Sequence, residues 1–345
     1  MNPAPVENPP NPWASSVLEY LDEVPRAKLE VFTDASRGIL AKNDSPDLPF
    51  SYSVNPYRGC QHACAYCYAR PSHEYLSFGA GTDFDSKIVV KLEAPRLLKE
   101  SFERPSWRGD QVLFSGGTDC FQPLEASLGL TRGCLEVCAA YRNPVGIVTK
   151  APLIERDVDV LQALTREASV HVSISIPIWS ETVARALEPG VATPKRRLAT
   201  IAALAKAGVS VGVMVAPLIP GVSEDGLGEI LSRAREAGAT TASFVLLRLP
   251  GSVKAVFESR LRAALPERAE KVLHRIRETR GGKLYDSRFE VRTVGDGPYA
   301  EAMNGLFWAT ARRLGFKASV VPEKDTFRRP PRSGSQLSLW PSPQP

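Results

Sequence analysis

Three cysteines lie within eight positions, at Cys60, Cys64 and Cys67, in the stretch RGCQHACAYCYAR. Thiolates bind zinc and iron–sulfur clusters, and both kinds of site usually take four protein ligands. No fourth cysteine stands nearby, and the candidate histidines, His62 and His73, have no familiar zinc spacing. Three thiolates would leave one iron of a four-iron cluster open, much as a catalytic zinc keeps an open position. The stretch therefore favours a metal centre that binds a substrate or cofactor directly.

The composition is that of a globular protein. The chain has 345 residues, 43% hydrophobic and 23% charged, which is enough for one large α/β domain or two modest ones. Its first residues, MNPAPVENPPNPW, lack the basic and apolar regions of a signal peptide, and the longest apolar run, 209–220, is too short to cross a membrane. We therefore expect a cytoplasmic protein without a membrane partner, in which clustered cysteines bind metal or catalyse rather than form disulfides.

Strand-like and helix-like patterns alternate from residue 87 onwards. The strand-like segments are KIVVKL, QVLFSGGTD, VGIVTK, SVHVSISIP, VSVGVMVAPLIPG and TASFVLLRLP. The helical ones between them are APRLLKESFER, LTRGCLEVCAAYR, IERDVDVLQALTREA, TPKRRLATIAALAKAG and EDGLGEILSRAREAG. This alternation predicts βαβ units and a parallel sheet. With a further strand just before Cys60 there are about six units, fewer than the eight of a complete TIM barrel.

The composition also suggests three parts. Residues 1–48 are rich in proline and predict an extension on the surface. Residues 49–320 carry the alternating pattern and a helical C-terminal portion, and residues 321–345 are rich in proline and serine, which is typical of a flexible, disordered tail.

The pattern C-x3-C-x-aromatic-C, with Tyr66 as the aromatic residue, resembles the signature of the radical S-adenosylmethionine (SAM) superfamily. The resemblance implies that Cys60, Cys64 and Cys67 hold a [4Fe-4S] cluster whose open iron is chelated by the amino and carboxylate groups of SAM. It implies that an electron from the cluster cleaves SAM to methionine and a 5′-deoxyadenosyl radical. It also implies a partial (β/α)6 barrel, Tyr66 beside the adenine, and a reductant such as flavodoxin or ferredoxin.

Other positions resemble the superfamily one at a time. A glycine-rich segment after the second strand is similar to the motif that receives the SAM amino group, although a plain tight turn would also use glycines. Lys150 ends the next strand at the same rim, where its ammonium could pair with the SAM carboxylate. Ser173 and Ser175 share one strand face and either bind the SAM ribose or carboxylate or fill the barrel interior. The glycine-rich segment consists of Ser115, Gly116, Gly117, Thr118 and Asp119.

The longer block NPYRGCQHACAYCYARPSHEYL, with SGGTD and IVTK behind it, resembles the spore photoproduct lyase-like, or DNA-repair-photolyase-like, branch. Spore photoproduct lyase reverses a thymine dimer with a cysteine as hydrogen donor, and this chain has Gly116 at the equivalent position. The nearest thiol is Cys120, which is either a hydrogen donor reaching the cavity or an inert buried thiol. Cys134 and Cys138 lie four apart on a predicted helix and are expected to pack in the core rather than to bind a second metal.

Two features favour a nucleic-acid partner. Residues 248–345 contain 19 Lys and Arg against 10 Asp and Glu, whereas the rest of the chain has 24 against 28. The excess suits a polyanion such as DNA, and a solvated helix surface is the alternative. The tail carries QLSLW, which resembles the peptide by which bacterial DNA-repair proteins bind the sliding clamp, through Gln336, Leu337, Leu339 and Trp340.

These patterns together favour a radical SAM enzyme of the lyase-related branch that acts on DNA or another nucleic acid. Two alternatives stay open. One is an enzyme of the same superfamily that modifies a protein or a small molecule. The other is an iron–sulfur redox or binding protein that cleaves no SAM.

Overall fold

Residues 28–317 and 326–331 are described by the computed structural model of the chain. The strands of this part are β1 (Glu30–Thr33), β2 (Leu40–Lys42), β3 (Tyr52–Val54), β4 (Tyr57–Arg58), β5 (Lys87–Val90), β6 (Val112–Phe114), β7 (Val145–Thr149), β8 (Val170–Ser175), β9 (Val211–Leu218) and β10 (Thr241–Leu246). The α-helices are α1 (Thr82–Ser86), α2 (Ala94–Glu103), α3 (Glu125–Leu128), α4 (Leu130–Ala140), α5 (Val158–Glu167), α6 (Glu181–Leu187), α7 (Pro194–Lys206), α8 (Leu227–Glu236), α9 (Val253–Ala264), α10 (Ala269–Glu278), α11 (Val291–Val294) and α12 (Pro298–Arg313). Short 3-10 helices span Arg70–Leu76, Pro152–Asp157 and Glu224–Gly226.

The central sheet of this part of the chain has seven strands in the order β10-β9-β8-β7-β6-β3-β2. Six of them, from β3 to β10, pair in parallel, and β2 pairs antiparallel with β3 at the edge. Helices α4, α5, α7 and α8 lie in the connections between successive parallel strands, as crossovers require. The predicted partial (β/α)6 barrel is therefore confirmed, and the carboxyl ends of its strands meet at one rim.

Apolar residues on both faces of the parallel strands explain why the sheet is buried. Val145 pairs with Val170 and Val172 pairs with Val211, and these side chains belong to the main hydrophobic core. Cys134 and Cys138 of α4 are fully buried in the same core, as the sequence predicted. Within the described ranges, no helix is long and apolar enough to span a bilayer.

Two elements differ from the sequence prediction. The segment KIVVKL does contain a strand, β5, but β5 lies outside the barrel in a three-stranded sheet ordered β1-β5-β4. Its hydrophobic pattern reflects burial of Ile88 and Val90 against Tyr57 and Leu130. The amphipathic pattern of the basic stretch 254–283 predicts a single helical stretch, but the structure has two helices there, α9 and α10, with Pro266 between them.

Part of the predicted N-terminal extension is paired with the rest of the protein. Strand β1 pairs in parallel with β5 and keeps all four of its side chains exposed, and β2 extends the edge of the central sheet. The proline-rich composition gave no signal for these two strands. The division of the chain at residues 48 and 320 stays a prediction.

Candidate active site

A cavity of about 480 Å³ lies where the ends of β6, β7, β8, β9 and β10 meet the loop after β4. Every residue predicted to hold the cluster or SAM lines it except Ser173, which is half-buried on β8. The predicted residues on the wall are Cys60, Cys64, Tyr66, Cys67, Ser115, Gly116, Gly117, Thr118, Asp119, Lys150 and Ser175. The fold thus brings together residues that are far apart in sequence, at the rim where barrel chemistry occurs.

The loop that carries the three cysteines, residues 59–67, is called the cysteine loop, and it is held in place by backbone contacts. Gly59 has φ +80°, and a Cβ there would come within 2.9 Å of both His73 Cε1 and the Lys87 carbonyl, so only glycine fits. The Cys60 amide donates to the Phe84 carbonyl at 2.9 Å, and the loop is held at a second point by a bond from Ala65 to Leu187. The loop therefore adopts its course through main-chain contacts rather than through the thiols.

Two buried arginines hold the carbonyls of the same loop. Arg70, completely buried, donates to the Cys64 carbonyl at 2.8 and 3.1 Å and to Asp85 at 2.8 Å. Arg260 of α9 donates to the Ala63 carbonyl and to the other oxygen of Asp85, the latter at 2.7 Å. One carboxylate therefore neutralises part of the charge of two guanidinium groups, and these two groups together hold the carbonyls of the cysteine loop.

The donor set fits an iron–sulfur cluster. Burial raises the pKa of Cys60, Cys64 and Cys67, that of Cys64 to about 12, so a thiolate at these sulfurs needs a cation beside it. None of these cysteines forms a disulfide. In the described part of the chain, no three His, Cys, Asp or Glu side chains surround a single-ion position. A cubane [4Fe-4S] cluster does not require such a single-ion position, because each thiolate binds a different iron.

The two histidines that the sequence left as candidate ligands are engaged by other protein atoms. His62 lines the cavity, but its Nδ1 lies 3.4 Å from the Asp119 carboxylate. His73 is fully buried and its Nε2 lies 2.8 Å from the Lys87 carbonyl oxygen. Burial lowers the pKa of His73, which keeps its ring neutral.

Asp119 joins three loops around the cavity. Its carboxylate accepts hydrogen bonds from Thr149 Oγ1 at 2.8 and 2.9 Å, from the Lys150 amide at 2.8 Å and from the Phe121 amide at 2.9 Å. Burial alone would raise the pKa of Asp119, but His62 and these amides outweigh it and the pKa lies below its ordinary value. Asp119 is thus an ionised, fully engaged carboxylate that positions its neighbours.

The glycine-rich segment explains why no cysteine stands at position 116. A Cβ on Gly116 would come within 2.7 Å of both Cβ and Oγ of Ser53, whereas Gly117 has open space. The neighbouring Ser115, at φ +74°, donates to Cys120 Sγ at 3.0 Å and accepts from the Cys120 amide at 3.0 Å. Cys120 is fully buried and does not line the cavity, which favours the inert-thiol alternative over the hydrogen donor.

Lys150 presents its ammonium between β8 and β9. Its Nζ donates to Ser175 Oγ at 3.0 Å and to the Ala216 carbonyl at 3.2 Å, and it lies 5.8 Å from the centre of the Tyr66 ring. A cation held in this way beside the cysteine loop suits a carboxylate ligand, and its pairing with the SAM carboxylate stays a prediction.

A buried network that the sequence did not reveal orients Tyr66. Its hydroxyl donates to Glu188, which also accepts from Arg197 Nη2 at 2.7 Å. Arg197 in turn donates to the Ser175 carbonyl at 2.8 Å. Glu188 and Arg197 are each 1% exposed, and the charge of Arg197 helps keep the pKa of Glu188 low against the effect of burial. The network therefore connects the cysteine loop with α6, α7 and β8.

Two further cavity residues escaped the sequence analysis. Tyr68 directly follows the third cysteine, and its hydroxyl donates to the Gly116 carbonyl at 2.8 Å. The guanidinium carbon of Arg248, just beyond β10, lies 5.4 Å from the centre of the Tyr68 ring. The only sequence feature that pointed to Tyr68 is its position directly after Cys67. Nothing in the sequence distinguishes Arg248 from the other basic residues around it.

Part of the basic C-terminal region is neutralised within the protein. Among the described residues, arginines that form ion pairs with acidic side chains include Arg260, Arg262, Arg268, Arg275, Arg288 and Arg292. For exposed arginines such as Arg262 and Arg268, this agrees with the alternative of a solvated helix surface. The residues predicted to bind the sliding clamp, Gln336, Leu337, Leu339 and Trp340, lie outside the described residues.

Comparison with known proteins agrees with this site. A family model described as the radical SAM superfamily matches residues 54–234, more than half of the chain. The chain therefore belongs to the radical SAM superfamily, whose members use a [4Fe-4S] cluster and SAM.

The fold is similar to that of spore photoproduct lyase. Its structure complexed with dinucleoside spore photoproduct gives a TM-score of 0.60 at 20% identity, covering 83% of this chain and 80% of that one. A variant with bound AdoMet and the same dinucleoside gives 0.60 at 19% identity, with the same coverage. At these identities the likeness concerns the fold.

Sequence relatives are more similar but have uncharacterized functions. Proteins of Mycobacterium tuberculosis and Mycobacterium bovis are 40% identical over 222 residues, which is 64% of this chain and 65% of theirs. A protein of Methanocaldococcus jannaschii is 28% identical over 169 residues, 49% of this chain and 61% of its own length. The matches thus span less than two thirds of these relatives.

Proposed function

We propose that the protein is a radical SAM enzyme that abstracts a hydrogen atom from a nucleic-acid substrate. The observation that carries this proposal is the convergence of Cys60, Cys64 and Cys67 with Lys150 on one cavity at the barrel rim. When bound, the cluster and SAM supply the reductive cleavage that yields methionine and a 5′-deoxyadenosyl radical, which removes hydrogen from the substrate.

The protein's own residues divide the remaining work. The three thiolates would hold three irons, and the Lys150 ammonium would pair with the SAM carboxylate while Ser175 keeps it in place. Tyr66, oriented by Glu188, would present its ring to the adenine. Asp119 would keep the loops after β6 and β7 together, so that reacting groups meet in a fixed geometry.

Two observations support a nucleic acid as the substrate. Spore photoproduct lyase, whose fold is similar, is complexed with a dinucleoside photoproduct in its structure. The described cavity wall includes Lys42, Lys150, Arg248 and Arg292, of which Arg292 is paired with Asp47, but only one acidic residue, Asp119, which is already fully engaged. A wall with this charge attracts a polyanion.

The later part of the reaction should differ from that of spore photoproduct lyase. All six cysteines lie in the described ranges, and only Cys60, Cys64 and Cys67 reach the cavity wall. Because Gly116 and the buried Cys120 present no thiol there, a group other than a free cysteine would return hydrogen to the product radical.

The proposal is tested by reconstituting the cluster anaerobically, reducing it in the presence of SAM and measuring 5′-deoxyadenosine. We expect about four irons per chain and formation of 5′-deoxyadenosine that rises with DNA. Deuterium from labelled DNA should appear in the deoxyadenosyl group. Cys64→Ala should abolish the reaction, and the core variant Cys138→Ala should retain it.

Three results would contradict the proposal in different ways. An intact cluster without 5′-deoxyadenosine would favour a redox or binding protein. Deuterium arriving from a protein or a small molecule instead of DNA would refute the substrate class while leaving the radical chemistry. A colourless protein that binds zinc would refute both the radical chemistry and the proposed substrate class.

A sliding-clamp partner is proposed from the tail peptide. A polar glutamine followed by leucines and an aromatic residue suits an apolar groove. Replacing Gln336 and Leu337 together by alanine should abolish binding of the full chain to the clamp, measured by surface plasmon resonance. Unchanged clamp affinity in that double variant would refute the assignment.

A further inference from the structure

Arg248 is a cationic residue of the cavity wall whose charge the protein does not neutralise. Among the described residues it has no ion pair and donates no hydrogen bond, and its Nε is buried without a partner. Its guanidinium carbon lies over the Tyr68 ring, 5.4 Å from the ring centre. A guanidinium group without an acceptor is costly in a partly buried position, and an anion in the cavity would supply that acceptor.

The other cations of the wall differ from Arg248 in this respect. Lys150 donates to Ser175 and Ala216, and Arg292 forms two hydrogen bonds with Asp47, at 2.6 and 2.5 Å. Lys42 is an exposed side chain of the edge strand β2, where its ammonium is hydrated. Arg248 alone among these four combines partial burial with an unmet donor.

The surroundings of Arg248 add positive rather than negative charge. The neighbouring Arg280 is 2% exposed and donates to the Leu247 carbonyl at 2.8 Å, directly before Arg248. Burial lowers the pKa of Arg280, Asp286 and Tyr285 oppose that effect, and the charge of Arg248 lowers the pKa further. An anion beside Arg248 would therefore relieve repulsion between two guanidinium groups as well as satisfy a donor.

The cation–π contact with Tyr68 fixes the position of the Arg248 guanidinium group. Tyr68 is fixed at its hydroxyl by the Gly116 carbonyl, and the guanidinium lies over the ring. A cation–π contact of this kind uses none of the N–H donors of the guanidinium group, so they stay available for an oxyanion. The position is next to the cysteine loop, because Tyr68 directly follows Cys67.

We infer that Arg248 binds a phosphate group of the substrate, and so places the adjoining nucleotide in the cavity beside the cysteine loop. This inference rests on the nucleic-acid substrate proposed above. It makes Arg248 a substrate-positioning and specificity-determining residue, distinct from Lys150, which serves SAM.

The test measures binding of a labelled short single-stranded oligonucleotide to the cluster-loaded protein with SAM, by fluorescence anisotropy at several salt concentrations. Arg248→Met should weaken binding at least about tenfold. It should also reduce the steepness of the salt dependence by about 0.7, the share of one phosphate contact on a single strand. Arg248→Lys should be intermediate, because it keeps the charge but loses the planar fork.

The matched control is Arg166→Met, which removes the same charge from an exposed position. Arg166 lies near the end of α5, which leads to the start of β8 and hence to the barrel end opposite the cavity. A second arm uses oligonucleotides in which single phosphates are replaced by neutral methylphosphonate. One position should weaken binding to the unmodified protein and have no effect on Arg248→Met.

The outcomes separate this inference from the proposed function. If the oligonucleotide binds and Arg248→Met behaves like Arg166→Met, the role of Arg248 is refuted while the nucleic-acid substrate stands. If Arg248→Met instead weakens SAM binding, Arg248 serves the cofactor and the inference is wrong. If the unmodified protein binds no oligonucleotide, the inference and the proposed substrate class fail together.

Discussion

Replacing Glu188 by glutamine should destabilise the protein by about 3 kcal/mol. Glu188 and Arg197 are each 1% exposed and 2.7 Å apart, so the substitution leaves the guanidinium charged and uncompensated in the interior. Removal of one partner from a buried ion pair typically costs about 3–5 kcal/mol, and the glutamine oxygen, which can still accept one hydrogen bond, places the loss at the lower end.

An exposed ion pair next to Arg197 in the sequence provides a control for the buried Glu188–Arg197 pair. Arg196 pairs with Glu155 at 2.6 Å, but these side chains are 44% and 29% exposed. Because exposed pairs contribute at most about 1 kcal/mol, Glu155→Gln should have a small effect. In urea unfolding followed by circular dichroism, with a slope of about 3 kcal/mol per M, the midpoints should fall by about 1 M and by less than about 0.3 M respectively.

A double variant separates the cost of the unpaired charge from lost packing. Glu188→Leu with Arg197→Met removes both charges, and it should recover much of the stability lost in Glu188→Gln. Equal midpoints for Glu188→Gln and Glu155→Gln would refute the reasoning, because they would mean that the buried pair is no stronger than the surface one. A double variant less stable than Glu188→Gln would show that the lost hydrogen bonds to Tyr66 and to the Ser175 carbonyl, not charge compensation, dominate.

Three other predictions concern separate parts of the protein. Cys60→Ala should lose the cluster, measured as iron content after reconstitution, whereas Cys134→Ala should keep about four irons because its thiol is buried in the core. Gly116→Ala should cost about 1–3 kcal/mol, since its Cβ would lie 2.7 Å from Ser53; adding Ser53→Gly should restore the urea midpoint. Burial lowers the pKa of His171, so the unfolded chain binds more protons below pH about 6.5 and stability should fall on acidification; His171→Gln should flatten that fall in unfolding experiments at pH about 7 and about 5.

The sequence predicted those parts of the site whose signal is local. The three cysteines and Tyr66 stand within eight positions, and Lys150 and Ser175 end strands whose pattern is clear. In a parallel sheet the ends of successive strands meet at one rim, so the strand assignments also place the residues that follow them. The parallel arrangement of the strands therefore allowed most of the residues that line the cavity to be predicted from the sequence.

The parts that escaped depend on pairing between distant segments. Arg260 and Asp85 are 175 positions apart, and Tyr66 and Glu188 are 122 apart. Nothing in the residues around each of them marks it as the partner of the other. Strand β5 shows the same limit for the backbone, because its hydrophobic pattern predicts a strand but does not say which sheet it joins.

The distribution of acidic residues connects the stability of the site with its ligand. Asp85 and Glu188 compensate the arginines that fix the cysteine loop and Tyr66, and Asp119 is engaged by loop amides and His62. Each of these carboxylates is therefore committed to the protein interior and cannot neutralise Arg248. The contacts that hold the loop thus leave the charge of Arg248 uncompensated at the cavity, and this charge would favour the proposed anionic substrate over a neutral one.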